Sequence, residues 1–499
     1  MIIEQAATEL LPRVQATLGT ERTMLIGDGW VASEEGTSFA TLDPATGREI
    51  ARVAEAGPTD IDRAVTAARA ALDGPWGRMR AAERGRLLSR LADLLEDNLE
   101  ELAQLESLDN GKPLAFARGA DLPLVIDHFR YYAGSPTRVE GRTIPPSAPD
   151  LLVYTRPEPV GVVGAIIAWN FPLLLCAWKL APALAAGCTV VLKPAEETPL
   201  SALRLGELIL EAGIPAGVVN ICPGYGEVAG AALVRHPGID MVSFTGSRAV
   251  GSEIARGAAG NVTRVSLELG GKNPNIVFAD ADLEAATAAA AQAIFFNSGQ
   301  VCSAGSRLMV HRSVHDAVLE RLADHARALR VGPGLAPETT LGPLVSAEQL
   351  RRVTGYLEAG VRDGADAVVG GGRPTGVDPA GFFVEPTVLT GVPDDASVCT
   401  DEIFGPVLVV QAFDDVDEAV ARANDTQYGL AAAVWTRDVG LAHRTAARLA
   451  AGTVWINGFH GYDAAVPFGG FKRSGYGRDN GEEAIAKYLQ TKSVWTYLS

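Results

Sequence analysis

Cys302 stands in FFNSGQVCSAGS, residues 295 to 306, between a Gly-Gln pair and a run of small residues. Small neighbours leave a sulfur open to a substrate carbon, so nucleophilic chemistry is available to it. A lone cysteine serves equally as a small buried hydrophobe. Glu268, in LELGG, ends an otherwise apolar run. Desolvation there favours the protonated carboxyl and suits it to general-base work near neutral pH, unless an unseen Lys or Arg pairs with it. Asn170, in AWNFP, ends another apolar run. Its amide can donate to a developing oxyanion, or its side chain can cap a helix starting near Pro172.

Two further stretches carry groups that suit phosphate and ribose. In FTGSRAVG, residues 244 to 251, Gly246 and Ser247 lie where a strand passes into a helix, and backbone N–H groups at such a helix start hold phosphate. The pattern is GSxxxG, not the dinucleotide fingerprint GxGxxG, and the same turn is also ordinary punctuation. In VVLKPAEETP, Lys193 ends a strand-like run and Glu196 follows on the loop, at the sheet end where open α/β folds bind ligands. Solvated loop charge is the other reading of both. His311 and His315 are four apart but straddle a strand end and a helix start, which argues against a metal pair.

These groups must be positioned by the elements around them. Residues 58 to 135 have helical spacing, with Thr59 as an N-cap and the run from Ala81 continuing amphipathically. PTRVEGRTIPPSAPD reads as a loop or extended arm. Strands and helices then alternate: VGVVGAIIA, LLLCAWKLAPALAAG, CTVVLKP, SALRLGELILEAG, VVNICPG, EVAGAALVRH, IDMVSFTG and SRAVGSEIARGAA. That rhythm predicts βαβ units and a parallel sheet. A second α/β region runs from about 270 to 470, and the tail AIAKYLQTKSVWTYL ends with strand character. It returns to another domain or to a partner chain. At ~150 residues per domain the 499 residues make two or three.

Composition removes several classes of function. A net charge of −17 argues against a nucleic-acid surface, which needs clustered Lys and Arg. Five scattered cysteines without CxxC spacing argue against a disulfide framework or a zinc site and suit a reducing compartment. The opening MIIEQAATELLPRV lacks the basic region and apolar run of a secretory leader. The longest apolar stretches are interrupted by Pro172, Lys179 and Pro182, short of the ~20 residues of a membrane span.

WNFP, KPAEETP, FTGSRAVG, LELGGKNP, GQVCSAGSR, EIFGP and PFGGFKRSGYGR, in this order between about residues 25 and 495, resemble the blocks of the aldehyde dehydrogenase superfamily. The resemblance implies an α/β fold of three parts. They are a Rossmann-like NAD-binding domain (1–136 and 157–269), a catalytic α/β domain (270–478) and an oligomerisation element (137–156 and 479–499). It implies a cytoplasmic dimer or tetramer. Cys302 then matches the nucleophile, Glu268 the general base, and Asn170 with the backbone N–H of Cys302 the oxyanion hole. Lys193 and Glu196 match adenosine-ribose contacts, and Gly246 and Ser247 the pyrophosphate turn. Trp169 lies beside the cofactor, Glu402 and Phe404 match nicotinamide-ribose contacts, and Gln349 and Arg352 fall near the same ribose. Val301 and Ser303 flank Cys302, so no adjacent thiol is present to form a disulfide with it.

Phe171, Trp178, Phe459, Tyr462 and Phe468 would surround the substrate, which suggests an apolar, aromatic or medium-chain aldehyde. Phe and Trp also cage quaternary ammonium groups, so betaine aldehyde or an aminoaldehyde is an alternative. A carboxylate at Glu196 would repel a 2′-phosphate, which favours NAD over NADP. Glu268 separates this chain from CoA-acylating relatives. A catalytically retired structural protein on the same fold is the reading from another class.

Overall fold

The runs Val162–Ile166, Thr189–Lys193 and Val219–Ile221 are buried along their whole length, the pattern of strands covered on both faces. The structure is a computed structural model describing residues 8–498. The first seven residues, on which the leader reading partly rests, lie outside these. The three runs join Met241–Gly246 and Arg264–Leu269 in a parallel array, flanked by antiparallel Gly475–Tyr476 on one side and Met24–Ile26 and Gly29–Val31 on the other. Across the array, Val162–Ile166 sits between Met241–Gly246 and Thr189–Lys193. Chain order therefore reverses beside Val162–Ile166, creating the crevice where doubly wound sheets take ligands. Trp169 and Asn170 follow one of the two strands at this point, and Gly246 ends the other.

A second, seven-stranded sheet is parallel except for Asp366–Val369 at its edge, and it contains Pro274–Val277 and Arg307–His311 at its centre. The tail forms Leu489–Tyr497, paired antiparallel over nine residues with Leu151–Pro159, to which Thr143–Ile144 adds. The extended arm and the tail thus form one small sheet. No described helix is long and apolar enough to cross a membrane.

Two local expectations are corrected. The first long helix, Pro58–Asp73, is capped by Gly57 and not by Thr59. Pro58 at its first position has a φ suited to the helix and no N–H to satisfy, and the Asp60 carboxylate accepts from the Gly57 N–H at 3.1 Å. The wholly buried helix Pro172–Ala186 is preceded by Phe171 and has no side-chain cap, so Asn170 is not used as one.

Candidate active site

The bend before Cys302 is built from unusual backbone. Asn297, Ser298 and Gly299 have φ of 47°, 55° and 72° in succession. Hydrogen bonds hold the bend: Asn297 Nδ2 donates to the Asn170 carbonyl at 2.9 Å, and Ser298 Oγ to that of Gly342 at 2.7 Å. A Cβ on Gly299 would lie 2.0 Å from the Gly405 carbonyl oxygen, so only glycine permits this loop to meet EIFGP. Gly299→Ala is expected to cost roughly 2–4 kcal/mol, from backbone overlap added to a left-handed φ. Thermal unfolding at fixed protein concentration measures it as a lowered midpoint.

Beyond the bend, Asn273 Nδ2 donates to the carbonyls of both Cys302 and Ala304 at 2.9 Å, fixing the cysteine's backbone. Gly271 serves the same closeness, and Gly270 leaves room for the Glu402 carboxylate. A Cβ on Gly271 would come within 2.9 Å of the Cys302 carbonyl, and one on Gly270 within 2.0 Å of a Glu402 oxygen. The pair of glycines after Glu268 therefore lets the catalytic loop and EIFGP close on the end of strand Arg264–Leu269.

Cys302, Glu268 and Asn170 line one cavity of about 430 Å³. Asn170 is buried, and its amide Nδ2 donates to the Gln300 carbonyl at 2.9 Å, which orients the group and leaves its second N–H free of protein partners. Glu268 is 3% exposed, its oxygens have no nitrogen or oxygen partner, and the Cys302 thiol is the hydrogen-bonding group beside them. The nearest basic influence is Lys179, but its Nζ is bound to Asp479 at 2.6 Å. The paired-carboxylate reading of Glu268 thus fails. Burial pushes its carboxyl up to about 8, with Lys179 opposing and Asp479 adding to the rise. Burial, and then the adjacent Glu268 carboxylate, push the Cys302 thiol well above its ordinary value. In so dry a pocket the pair does not readily carry two negative charges, so each holds the other's proton on. Cys302 is half-buried, whereas the other four cysteines are fully buried and none forms a disulfide.

The crevice end of the cavity is lined by Trp169, Thr245, Gly246, Ser247, Glu402 and Phe404, with Gln349 and Arg352 beside them. Ser247 caps helix Arg248–Ala259, its Oγ accepting from the Val250 N–H at 3.3 Å. Gln349 Nε2 donates to the Phe404 carbonyl at 2.6 Å and Arg352 Nη2 to that of Glu402 at 2.5 Å, so both residues hold EIFGP in place. Phe404 has a left-handed φ of 63° and meets the Trp169 ring edge-on at 5.3 Å. The Glu402 carboxylate accepts from the Gly271 N–H at 3.1 Å, and burial pushes it up to about 7. Lys193 and Glu196 lie outside this lining, bonded to each other at 2.8 Å beyond the neighbouring strand end.

At the far end, Phe171, Trp178 and Tyr462 line the cavity as expected. Phe459 and Phe468 stand behind the wall: Phe459 packs on Trp455 and His460, and Phe468 on Trp178 and Tyr462. Their bulk shapes the site through its neighbours. Sequence reasoning did not select Phe296, His460, Leu124 or Asp121, all of which line the cavity. Phe296 and His460 adjoin chosen blocks and were within reach of the pattern. Leu124 and Asp121 come from a helical segment with no local mark of function, although Ala117–Asp121 is a π-helical turn, a form frequent at such sites. Asp121 and Glu106 share the fully buried Lys112 ammonium, which also lies 4.5 Å above the Phe171 ring.

Known proteins match this arrangement over nearly the whole chain. The aldehyde dehydrogenase family model covers residues 30–494. Human retinal dehydrogenase 2 is 48% identical over 493 residues, 98% of this chain and 94% of that protein. The NAD+ complex of aldehyde dehydrogenase from Bacillus cereus superimposes with a TM-score of 0.97 at 50% identity, covering 99% of this chain and 100% of that one. Betaine aldehyde dehydrogenase from Staphylococcus aureus, also solved with NAD+, gives 0.95 at 41% identity, covering 98% and 96%. With its half-buried thiol and buried carboxyl beneath the switch-point crevice of a doubly wound sheet, the chain belongs to the aldehyde dehydrogenase family, oxidoreductases that act on aldehydes.

Proposed function

We propose that the protein oxidises an uncharged, apolar or aromatic aldehyde to the carboxylic acid with NAD, through a thioester on Cys302. The observation that carries this is the Glu268 carboxyl, without a nitrogen or oxygen partner, lining the same cavity as the half-buried thiol. The Cys302 thiol gives up its proton to solvent, the thiolate adds to the carbonyl carbon, and the resulting alkoxide is held by the Asn170 amide and the Cys302 backbone N–H. Bound NAD supplies the hydride acceptor for collapse of the thiohemiacetal to the thioester. Glu268 then takes a proton from water as its oxygen adds to the acyl carbon, and sulfur leaves with release of the acid.

The crevice fits the dinucleotide. The cap of helix Arg248–Ala259 suits its phosphates, and the Glu402 carboxylate suits ribose hydroxyls. Lys193 and Glu196 would hold the second ribose, the Glu196 carboxylate accepting from two hydroxyls and repelling a 2′-phosphate, so NADP is the weaker cofactor. The likeness to betaine aldehyde dehydrogenase and the aromatic wall favour a quaternary ammonium substrate as a second reading. Against it, the Asp121 carboxylate at that end is already neutralised by Lys112.

The terminal sheet leaves Leu489–Tyr497 as an edge strand bearing exposed Trp495 and Tyr497, suited to pairing with another copy in a dimer or tetramer. Five unbridged cysteines suit a reducing compartment such as the cytoplasm. NADH formation from an aldehyde panel, with and without CoA, tests the mechanism. Full turnover without CoA is expected, and an absolute need for CoA would overturn the hydrolytic step.

A further inference from the structure

The turn at residues 169–171 carries Asn170 but belongs to no helix or strand, so its shape depends on what holds it. Groups from distant segments do so. Asn110 Nδ2 donates to the Trp169 carbonyl at 2.8 Å, with the Thr198 hydroxyl a weaker donor at 3.4 Å. Asn297 Nδ2 donates to the Asn170 carbonyl at 2.9 Å, and the Lys112 ammonium lies 4.5 Å above the Phe171 ring. The peptide groups before and after Asn170 are thus each fixed by a side-chain amide. The direction of its own amide is then set by the Gln300 carbonyl at 2.9 Å.

Packing gives Asn110 no reason to be an amide. It ends helix Leu99–Asn110, which is buried from Glu101 onward, and Gly111 closes that helix at a left-handed φ of 84°. The Asn110 side chain is fully buried, and its Oδ1 has no hydrogen-bond partner among the described residues. A buried amide satisfied on one side only is costlier than an apolar side chain of the same size. What the amide supplies that leucine cannot is the bond to the Trp169 carbonyl, one residue before Asn170. A carbonyl only accepts, so the amide nitrogen must face it. Asn110 is not among the residues lining the cavity, so its influence on the reaction passes through the turn.

We propose that Asn110 is a positioning residue for the oxyanion hole, acting through the Trp169 carbonyl to hold the Asn170 amide in place, with Asn297 as its counterpart on the following carbonyl. A donor stabilises an oxyanion best when it is aimed before the charge develops, and a displacement of about 1 Å at such a site costs about a hundredfold in rate. Lys112, bonded to Glu106 at 3.1 Å and to Asp121, keeps the same helix end against the turn. The proposal rests on Asn170 being the oxyanion donor.

The test is a double-mutant cycle read by stopped-flow NADH formation, with saturating NAD and the best aldehyde of the panel, on Asn110→Leu and Asn170→Ala, singly and together. Asn170→Ala is expected to slow the burst by about 10²–10³-fold, the worth of one oxyanion donor. Asn110→Leu is expected to slow it by about tenfold, with the aldehyde KM little changed. In the Asn170→Ala background it adds nothing, because the amide through which it acts is gone. Should Asn110→Leu not fold, Asn110→Ser, whose hydroxyl is too short to reach the carbonyl, takes its place in the cycle. A native burst rate in the Asn110 variant, or a slowing that persists in full beside Asn170→Ala, overturns this proposal and leaves the oxyanion reading intact. A native burst rate in Asn170→Ala overturns both.

Discussion

Cys302→Ser is expected to lower kcat by about 10⁴-fold or more and to eliminate any rapid burst of NADH. Two facts set the size of the effect. A hydroxyl is far less acidic and less nucleophilic than a thiol, and the base beside it is Glu268, a carboxyl that burial already pushes up to about 8. Both oxidation and hydrolysis pass through the sulfur, so no partial reaction remains. Stopped-flow absorbance reads the burst, and intact-mass measurement with substrate reads the acyl adduct, which is expected on the native chain and absent from the variant. Alkylation provides an independent check. Cys176, Cys188, Cys222 and Cys399 are buried, whereas Cys302 is half-buried and lines the cavity, so iodoacetamide is expected to label Cys302 alone, and NAD to protect it. A chain with no reactive thiol and no cofactor binding would instead be a retired structural member of the family.

Glu268→Gln separates the two half-reactions. NADH burst formation is expected to persist, because thiol addition and hydride loss need the sulfur and the oxyanion donors. Steady-state turnover falls by about 10²–10⁴-fold, the usual worth of a positioned base. The native pH profile carries the same signature. A carboxyl with its pKa raised to about 8 is about one-tenth ionised at pH 7, so kcat is expected to rise through pH 8 and level off above it as the base form fills. In Glu268→Gln this rise disappears. A variant with no burst, or one keeping the native pH dependence, would remove Glu268 from the base role.

Much of the architecture is legible along the chain because it is local. Alternating apolar runs and helical periods, punctuated by glycine, mark the strands at 162, 189, 219, 241 and 264, and the second alternating region from about residue 270 marks the second sheet. Helix caps were less legible: Thr59 satisfies a compositional rule, but Pro58 and Asp60 together make Gly57 the better start. The glycines of LELGG and GQVCS were visible as glycines only. What they admit, Glu402 against Gly270 and Gly405 against Gly299, comes from segments more than 100 residues away.

The blocks around Cys302, Glu268 and Asn170, in their order, were enough to name the family and nominate these side chains, since residue identity and short-range spacing are properties of the chain alone. Whether Asn170 caps a helix or keeps an amide proton free, whether Glu268 has a cationic partner, and how far its carboxyl rises are decided only in the fold. The same holds for the wall around the substrate, where His460 and Phe296 replace Phe459 and Phe468 as lining. The reason is physical. Burial, electrostatic interaction and hydrogen-bond satisfaction are sums over neighbours that arrive from distant parts of the sequence, and at Glu268 those neighbours are Lys179, Cys302, Glu402 and Asp479.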